Sequence, residues 1–210
     1  MTKIIQLKHG IPENDVKASL GFLKSFFKSS MRFLKNYYPL GSERPHEFYQ
    51  ELRDKPTALY EYAHFSLEDD VGNSSVNRVF RAVALMHENH MISQGVPYGS
   101  STLRLMKYPA QATEKGGSVH YDFDFMTTVI GDFVIGVDRE DFKVKPKTFY
   151  GDMANIYDPQ RFKALLHGGD YYSDADRYTM VVFSVPPGDL VLNAELTVEA
   201  YYGLHQGVKY

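Results

Sequence analysis

The sequence predicts a mainly β protein of the α+β class: an antiparallel core from about residue 95 to 190, a barrel or a double-sheet jelly roll, covered by N-terminal helices. Two observations lead there. Before Gly95, apolar residues recur at helical spacing. After it, the turn signals "GVPYGSS", "EKGG", "VIGD", "YGD", "HGGD" and "VPPGD" separate short stretches rich in Val, Phe, Tyr and Thr. Many short strands joined by regular turns are the pattern of closed or two-layered antiparallel folds. Amphipathic helices need an apolar partner, so the change near 95 divides layers of one domain spanning 1–210 rather than two domains. Residues 1–94 form the helical layer, 95–190 the core and 191–210 a tail.

Taken in order, "ENDVKASLGFLKSFFKSSMRFLKNYYP" places Val16, Leu20, Leu23, Phe27, Met31 and Leu34 on one helical face. Lys24, Lys28, Arg32 and Lys35 form a basic stripe on another, and Pro39 with Gly41 closes the segment. A basic amphipathic helix over 15–36 can lie on a membrane surface, but covering the β core is the expected role. A second short helix is expected around 45–62, interrupted at Pro56. A third, over roughly 74–93, buries Val76, Val79, Phe80, Val83 and Met86. No internal repeat or low-complexity linker interrupts the chain.

Composition removes several classes of function. The chain of 210 residues contains no cysteine, which excludes disulfides, thiolate metal sites and a cysteine nucleophile. A net charge of −3 is too small to suggest nucleic acid. The opening "MTKIIQLKHGIPEND" lacks the apolar run of a signal peptide, and no stretch approaches the roughly 20 apolar residues of a membrane span. The expectation is a soluble, cytoplasmic protein. "HENH" at 87–90 has one residue too few between its histidines for the zinc-protease pattern, so His87 and His90 read as surface or packing residues. Neither a G-x-S-x-G elbow nor a G-x-x-x-x-G-K-[ST] phosphate loop is present.

What remains is "GSVHYDFDF", residues 117–125. A His-x-acid triplet occurs by chance in such a composition, but on a strand residues i and i+2 share a face, so His120 and Asp122 can converge. A carboxylate among phenylalanines is costly unless a cation meets it. "RFKALLHGGDYY" offers His167 at the end of an apolar, strand-like run, followed by two glycines that let the chain turn away. Two imidazoles and one carboxylate on one face of an ion match the non-haem Fe(II) arrangement, whereas a closed zinc site wants a fourth ligand. In "RYTMVVFSVP", Arg177 and Thr179 share a strand face, and an arginine aimed into an apolar interior needs an anion. Arg104 shares strand parity with Tyr108, either facing the cavity or serving as an ion-pair partner.

The segments "LRLMKYP", "HYD", "YGD", "LLH" and "RYT", ending in "FSVP", resemble in order the C-terminal half of the isopenicillin N synthase-like Fe(II)/2-oxoglutarate dioxygenases, over roughly residues 100–187. The resemblance implies a double-stranded β-helix, that is, a jelly-roll core. It implies His120, Asp122 and His167 as catalytic iron ligands, and Arg177, Thr179 and Tyr108 as the grip on the far carboxylate of 2-oxoglutarate. Gly151-Asp152 matches a structural marker of the family. Met106 stands where asparagine is frequent, Gly168 where arginine is frequent, and Phe123 with Asp124 where small residues are usual. Asp124 reads as a spare ligand, a substrate contact or a solvated rim residue.

The implied activity is that of an oxygenase using Fe(II), O2 and 2-oxoglutarate, with ascorbate as a reductant. It would hydroxylate a small molecule, or desaturate or cyclise it, with release of succinate and CO2. A family oxidase that does not use 2-oxoglutarate, and a non-catalytic metal- or ligand-binding jelly roll, are the alternatives. The N-terminal helices and the tail "AELTVEAYYGLHQGVKY" are the expected lids.

Overall fold

Strands β1 (Glu61–Ser66), β2 (Ser100–Tyr108), β3 (Met126–Ile135), β4 (Asp138–Tyr150) and β5 (Arg177–Val185) pair into one sheet in the order β1-β2-β5-β3-β4. Every pairing in it is antiparallel. Helices α1 (Glu13–Phe26), α2 (Ser74–Ser93), α3 (Asp152–Tyr157) and α4 (Val198–His205) and a hairpin of β6 (Val191–Asn193) and β7 (Leu196–Thr197) complete the described elements. The computed structural model describes residues 4–28, 61–108, 110, 120–135, 138–168 and 175–205. The architecture is the predicted jelly-roll core, with a long sheet and, among the described residues, short bridges beside it. Those bridges join His120 to His167 and Tyr150 to Ala164. No described helix is long and apolar enough to cross a membrane.

The two faces of the long sheet follow from the two-residue alternation of strands. One face carries Ala63, Phe65, Leu103, Leu105, Ile130, Met180 and Val182, packed against Val16, Leu23 and Phe26 of α1 and Val76, Val79, Phe80 and Val83 of α2. Each such side chain contributes roughly 2 kcal/mol on burial, which is why the helices lie there. The apolar face of α1 is therefore packed on the core over its described part; residues 29–36 of the expected helix lie outside the described residues. α2 spans the predicted range, because Asn73 caps it through bonds of 3.1 Å from the Ser75 and Val76 amides. It ends where Val96 N–H reaches back to the Met91 carbonyl at 2.9 Å.

β1 departs from the expectation of helix through residue 62. "EYAHFS" alternates, sending Ala63 and Phe65 under the helices and His64 and Ser66 to the other face, and so pairs with β2. The rest of the helix expected at 45–62 lies outside the described residues.

His87 of α2 is fully buried between helix and sheet. Its Nδ1 meets Ser184 Oγ and its Nε2 meets Thr128 Oγ1, both at 2.6 Å, and Thr128 meets Thr148 at 2.7 Å. It is a packing residue, as read, but one with both ring nitrogens engaged. Burial first, and His90 nearby second, push its pKa down to about 3.

His87 gives the fold a pH dependence whose sign follows from linkage. The unfolded chain takes up a proton below about 6.5, while the folded chain stays neutral at this ring until about 3. Stability is therefore level above 6.5 and falls as the pH drops through that window, by about 2 kcal/mol at pH 5. Urea unfolding at pH 7 and pH 5 tests this. His87→Gln is expected to be less stable at pH 7 yet to lose about 2 kcal/mol less between the two pH values; equal losses in both proteins would refute the assignment.

Candidate metal centre

His120 and His167 face one another across an antiparallel bridge in which each donates its amide to the other's carbonyl, at 2.9 and 3.0 Å. In such a hydrogen-bonded pair the Cα atoms lie about 5.5 Å apart and the side chains leave on the same side. The two imidazole centroids accordingly stand 4.5 Å apart. Gly168, directly after His167, adopts at φ 89° a conformation open chiefly to glycine.

Asp122 completes the cluster. Its Oδ1 lies 3.4 Å from Nε2 of both His120 and His167, and one ligand atom from each residue falls within 4.8 Å of the others. Two donors bound at about 2.1 Å to one ion can be at most about 4.2 Å apart. Two of the spacings already satisfy that limit, and the widest needs a few tenths of an ångström. The donor set fits a divalent cation. Side-chain exposure is 29% for His120, 11% for Asp122 and 7% for His167, so the site opens on the His120 side.

"HYDFDF" is not the regular strand expected from its alternation. His120 lies in the bridge, 123–125 bend, and β3 begins only at Met126. The segment is a corner passing from that bridge to the long sheet. Its backbone is used there: Asp152 N–H donates to the Asp122 carbonyl at 2.7 Å, Gly151 N–H to Phe125, and Phe125 N–H to Ser184. A Cβ at Gly151 would fall 2.7 Å from the Asp122 carbonyl oxygen and closer still to Asp124. The Gly-Asp turn matters because it lets two chain segments touch. "RFKALLH" likewise runs irregularly, held by the bridges at Ala164 and His167.

Electrostatics separate the two aspartates. Burial raises Asp122, but His167 and hydrogen bonds from His120, His167 and Thr127 more than offset it, and the carboxyl sits well below the ordinary range. Burial, and then the charge of Asp122, push Asp124 well above that range. Thr127 Oγ1 lies 2.7 Å from Asp122 and 2.9 and 3.0 Å from the two oxygens of Asp124. One hydroxyl proton cannot serve all three. With Asp124 protonated, its O–H donates to Thr127, which donates to Asp122. Asp124 is thus a buried support for Asp122, which corrects its reading as a solvated rim residue; its burial is the signal the sequence did not carry.

His167 Nδ1 lies 3.0 Å from the Leu165 carbonyl. A carbonyl only accepts, so Nδ1 carries the proton and Nε2 faces the cluster. Burial lowers the His167 pKa, but Asp122 and the bond to Leu165 outweigh it and raise it overall.

The second predicted group lies on the sheet face turned toward the cluster. Tyr108 pairs with Arg177 and Met106 with Thr179 across β2 and β5. The Arg177 guanidinium stands 4.7 Å over the Tyr108 ring, and Tyr108 Oη contacts Met106 Sδ at 3.7 Å. The same face carries Val129, Phe149 and Val181, with Phe149 5.1 Å from the His167 ring. The three residues therefore share one wall, which carries a guanidinium fork and two hydroxyls. His90 stands apart, bonded to Tyr150 Oη at 2.8 Å.

No protein-family model and no curated protein sequence matches the chain. Solved structures share its fold. JOX2 in complex with 2OG, Fe and JA superposes with a TM-score of 0.69 at 16% identity, covering 94% of this chain and 75% of that one. A full-length Neurospora crassa protein in complex with alpha-KG gives 0.64 at 14%, with 93% and 83% covered. The Arabidopsis thaliana dioxygenase for auxin oxidation 1, with 2-oxoglutarate, gives 0.57 at 17%, with 88% and 83% covered. At these identities the likeness is one of fold.

The close approach at Gly151 makes a sharp prediction. Gly151→Ala must displace the backbone of Asp122 or Asp124, and is expected to cost roughly 1–3 kcal/mol in chemical unfolding. A wild-type unfolding midpoint would show that the turn is not needed to support Asp122.

Proposed function

We propose that the protein is a non-haem Fe(II)- and 2-oxoglutarate-dependent oxygenase acting on a small molecule, with hydroxylation as its reaction and desaturation or cyclisation as variants of substrate pose. The observation that carries this is the two-imidazole, one-carboxylate cluster of His120, Asp122 and His167, with ligand atoms within 4.8 Å of one another, inside a jelly roll. That the solved structures sharing this fold include ones in complex with 2-oxoglutarate, and in one case Fe, supports the choice of metal and co-substrate. O2 is the second co-substrate, and ascorbate is the reductant to include in assays.

In this reading His120, Asp122 and His167 hold Fe(II), and Arg177, Thr179 and Tyr108 take the far carboxylate of 2-oxoglutarate. When bound, the metal supplies oxygen activation coupled to oxidative decarboxylation of 2-oxoglutarate to succinate and CO2. The chain supplies position and charge. Asp122 stays anionic and is held by Thr127; the Leu165 carbonyl fixes the His167 ring so that Nε2 points inward. The Arg177 fork suits a carboxylate bidentately. Val129, Phe149, Val181 and Phe183 keep the wall between these groups apolar and exclude water.

Anaerobic titration of the Fe(II)-loaded protein with 2-oxoglutarate, reading the visible charge-transfer band, tests this, followed by succinate release on admitting O2. The wild type is expected to develop a saturable band, His167→Ala to show none, and Arg177→Gln to need at least tenfold more 2-oxoglutarate, the cost of leaving a carboxylate without its cation. Metal binding without a band or succinate would replace this proposal with a metal-binding protein that does not turn over 2-oxoglutarate. A second measurement follows from the raised pKa of His167. Ligation requires that ring to lose its proton, so Mn(II) affinity is expected to fall on lowering the pH from 8 to 6, with protons released on binding; affinity flat across that range would remove His167 from the ligand set.

A further inference from the structure

Arg104 shares the inner face of the long sheet with Arg177 but stands elsewhere on it. It pairs with Val181 on one side and His64 on the other, whereas Arg177 begins β5 opposite Tyr108. Its guanidinium lies 5.0 Å over the Phe183 ring. Phe183 is the register partner of Thr127, and Thr127 holds Asp122 at 2.7 Å. Arg104 is therefore tied to the metal-ligand end of the wall, with β2 and β3 separated only by β5, about 10 Å between strand axes. Its Nε and the Nε2 of the neighbouring His64 are sealed from solvent. Tyr202 of α4 is part of the surroundings too: its phenol is raised by burial first and by Asp124 second, and drawn down by Arg104. Tyr202 thus lies within electrostatic reach of both residues.

We propose that Arg104, together with Tyr202 of α4, forms a second anion site on the inner wall that binds a carboxylate of the prime substrate and so selects acids over their neutral analogues. The inference rests on the oxygenase reading for what the anion is, a substrate, but not for the site itself. A half-buried guanidinium attracts a carboxylate more strongly than one in open solvent. The Tyr202 phenol can donate a further hydrogen bond. Phe183 under the fork holds the guanidinium plane and offers an apolar surface to the body of the acid. The co-substrate grip proposed for Arg177, Thr179 and Tyr108 leaves this site unused.

The test is isothermal titration of the metal-free protein with benzoate, phenylacetate and hexanoate, each beside its own primary amide, so that only charge changes. The 2-oxoglutarate band of the Fe(II)-loaded protein is measured in parallel. The wild type is expected to prefer at least one acid over its amide by tenfold or more. Arg104→Gln is expected to lose that preference while its 2-oxoglutarate affinity stays within about twofold. Arg177→Gln is expected to do the reverse. Should Arg104→Gln fail to fold, Arg104→Lys and Tyr202→Phe carry the comparison, each expected to lose at least threefold of the preference. Acid and amide binding alike in the wild type, a preference surviving in these variants, or loss of the 2-oxoglutarate band in Arg104→Gln would each overturn the anion site. A wild type that prefers acids but never forms the band would overturn the oxygenase reading alone.

Discussion

Two backbone hydrogen bonds between His120 and His167 set the distance on which the candidate centre depends. Among the described residues they form a bridge outside the named strands, yet they fix the register of two segments far apart in sequence. A slip of one residue would turn one imidazole to the opposite face, leaving Asp122 buried beside a single ring. The surrounding structure guards against that slip from both ends. Gly168 holds a backbone conformation that other residues rarely adopt, and the Asp152 amide pins the Asp122 carbonyl.

The same constraint explains how two carboxylates survive in an apolar interior. Placed two residues apart at a bend, Asp122 and Asp124 cannot both be charged at tolerable cost. One stays ionised beside the histidines and the other keeps its proton, and a single threonine hydroxyl joins them. The helix-covered face uses a parallel solution. There a neutral histidine and several hydroxyls satisfy one another between α2 and the sheet.

Much of this was legible in the sequence, though for uneven reasons. The turn signals after Gly95 gave the antiparallel core, and the spacing of Val76, Val79, Phe80 and Val83 gave α2 with its range, because strong periodicity and a good cap agree there. The convergence of His120 with Asp122 was reached through strand parity, whereas a bend and a cross-segment bridge produce it. Alternation cannot reveal a corner whose backbone bonds go to distant segments. β1 was hidden for the opposite reason, since six residues at a sheet edge carry too little pattern to stand out from helical surroundings. The close packing of Asp124 against Gly151 and the full engagement of His87 depend on partners remote in sequence, which no local pattern encodes.

The tie between Tyr201 and Asp152, a 3.0 Å bond from phenol to carboxylate, has a mechanical corollary. Asp152 also braces Asp122 through its amide, so one residue is a shared pivot for α4 and for the segment that carries Asp122. A change in the tilt or length of α4 can alter what packs beside Phe123 while the pivot keeps the Asp122 segment in place. A lineage could thus retune selectivity by drift in a single short helix, provided that one phenol stays where it is.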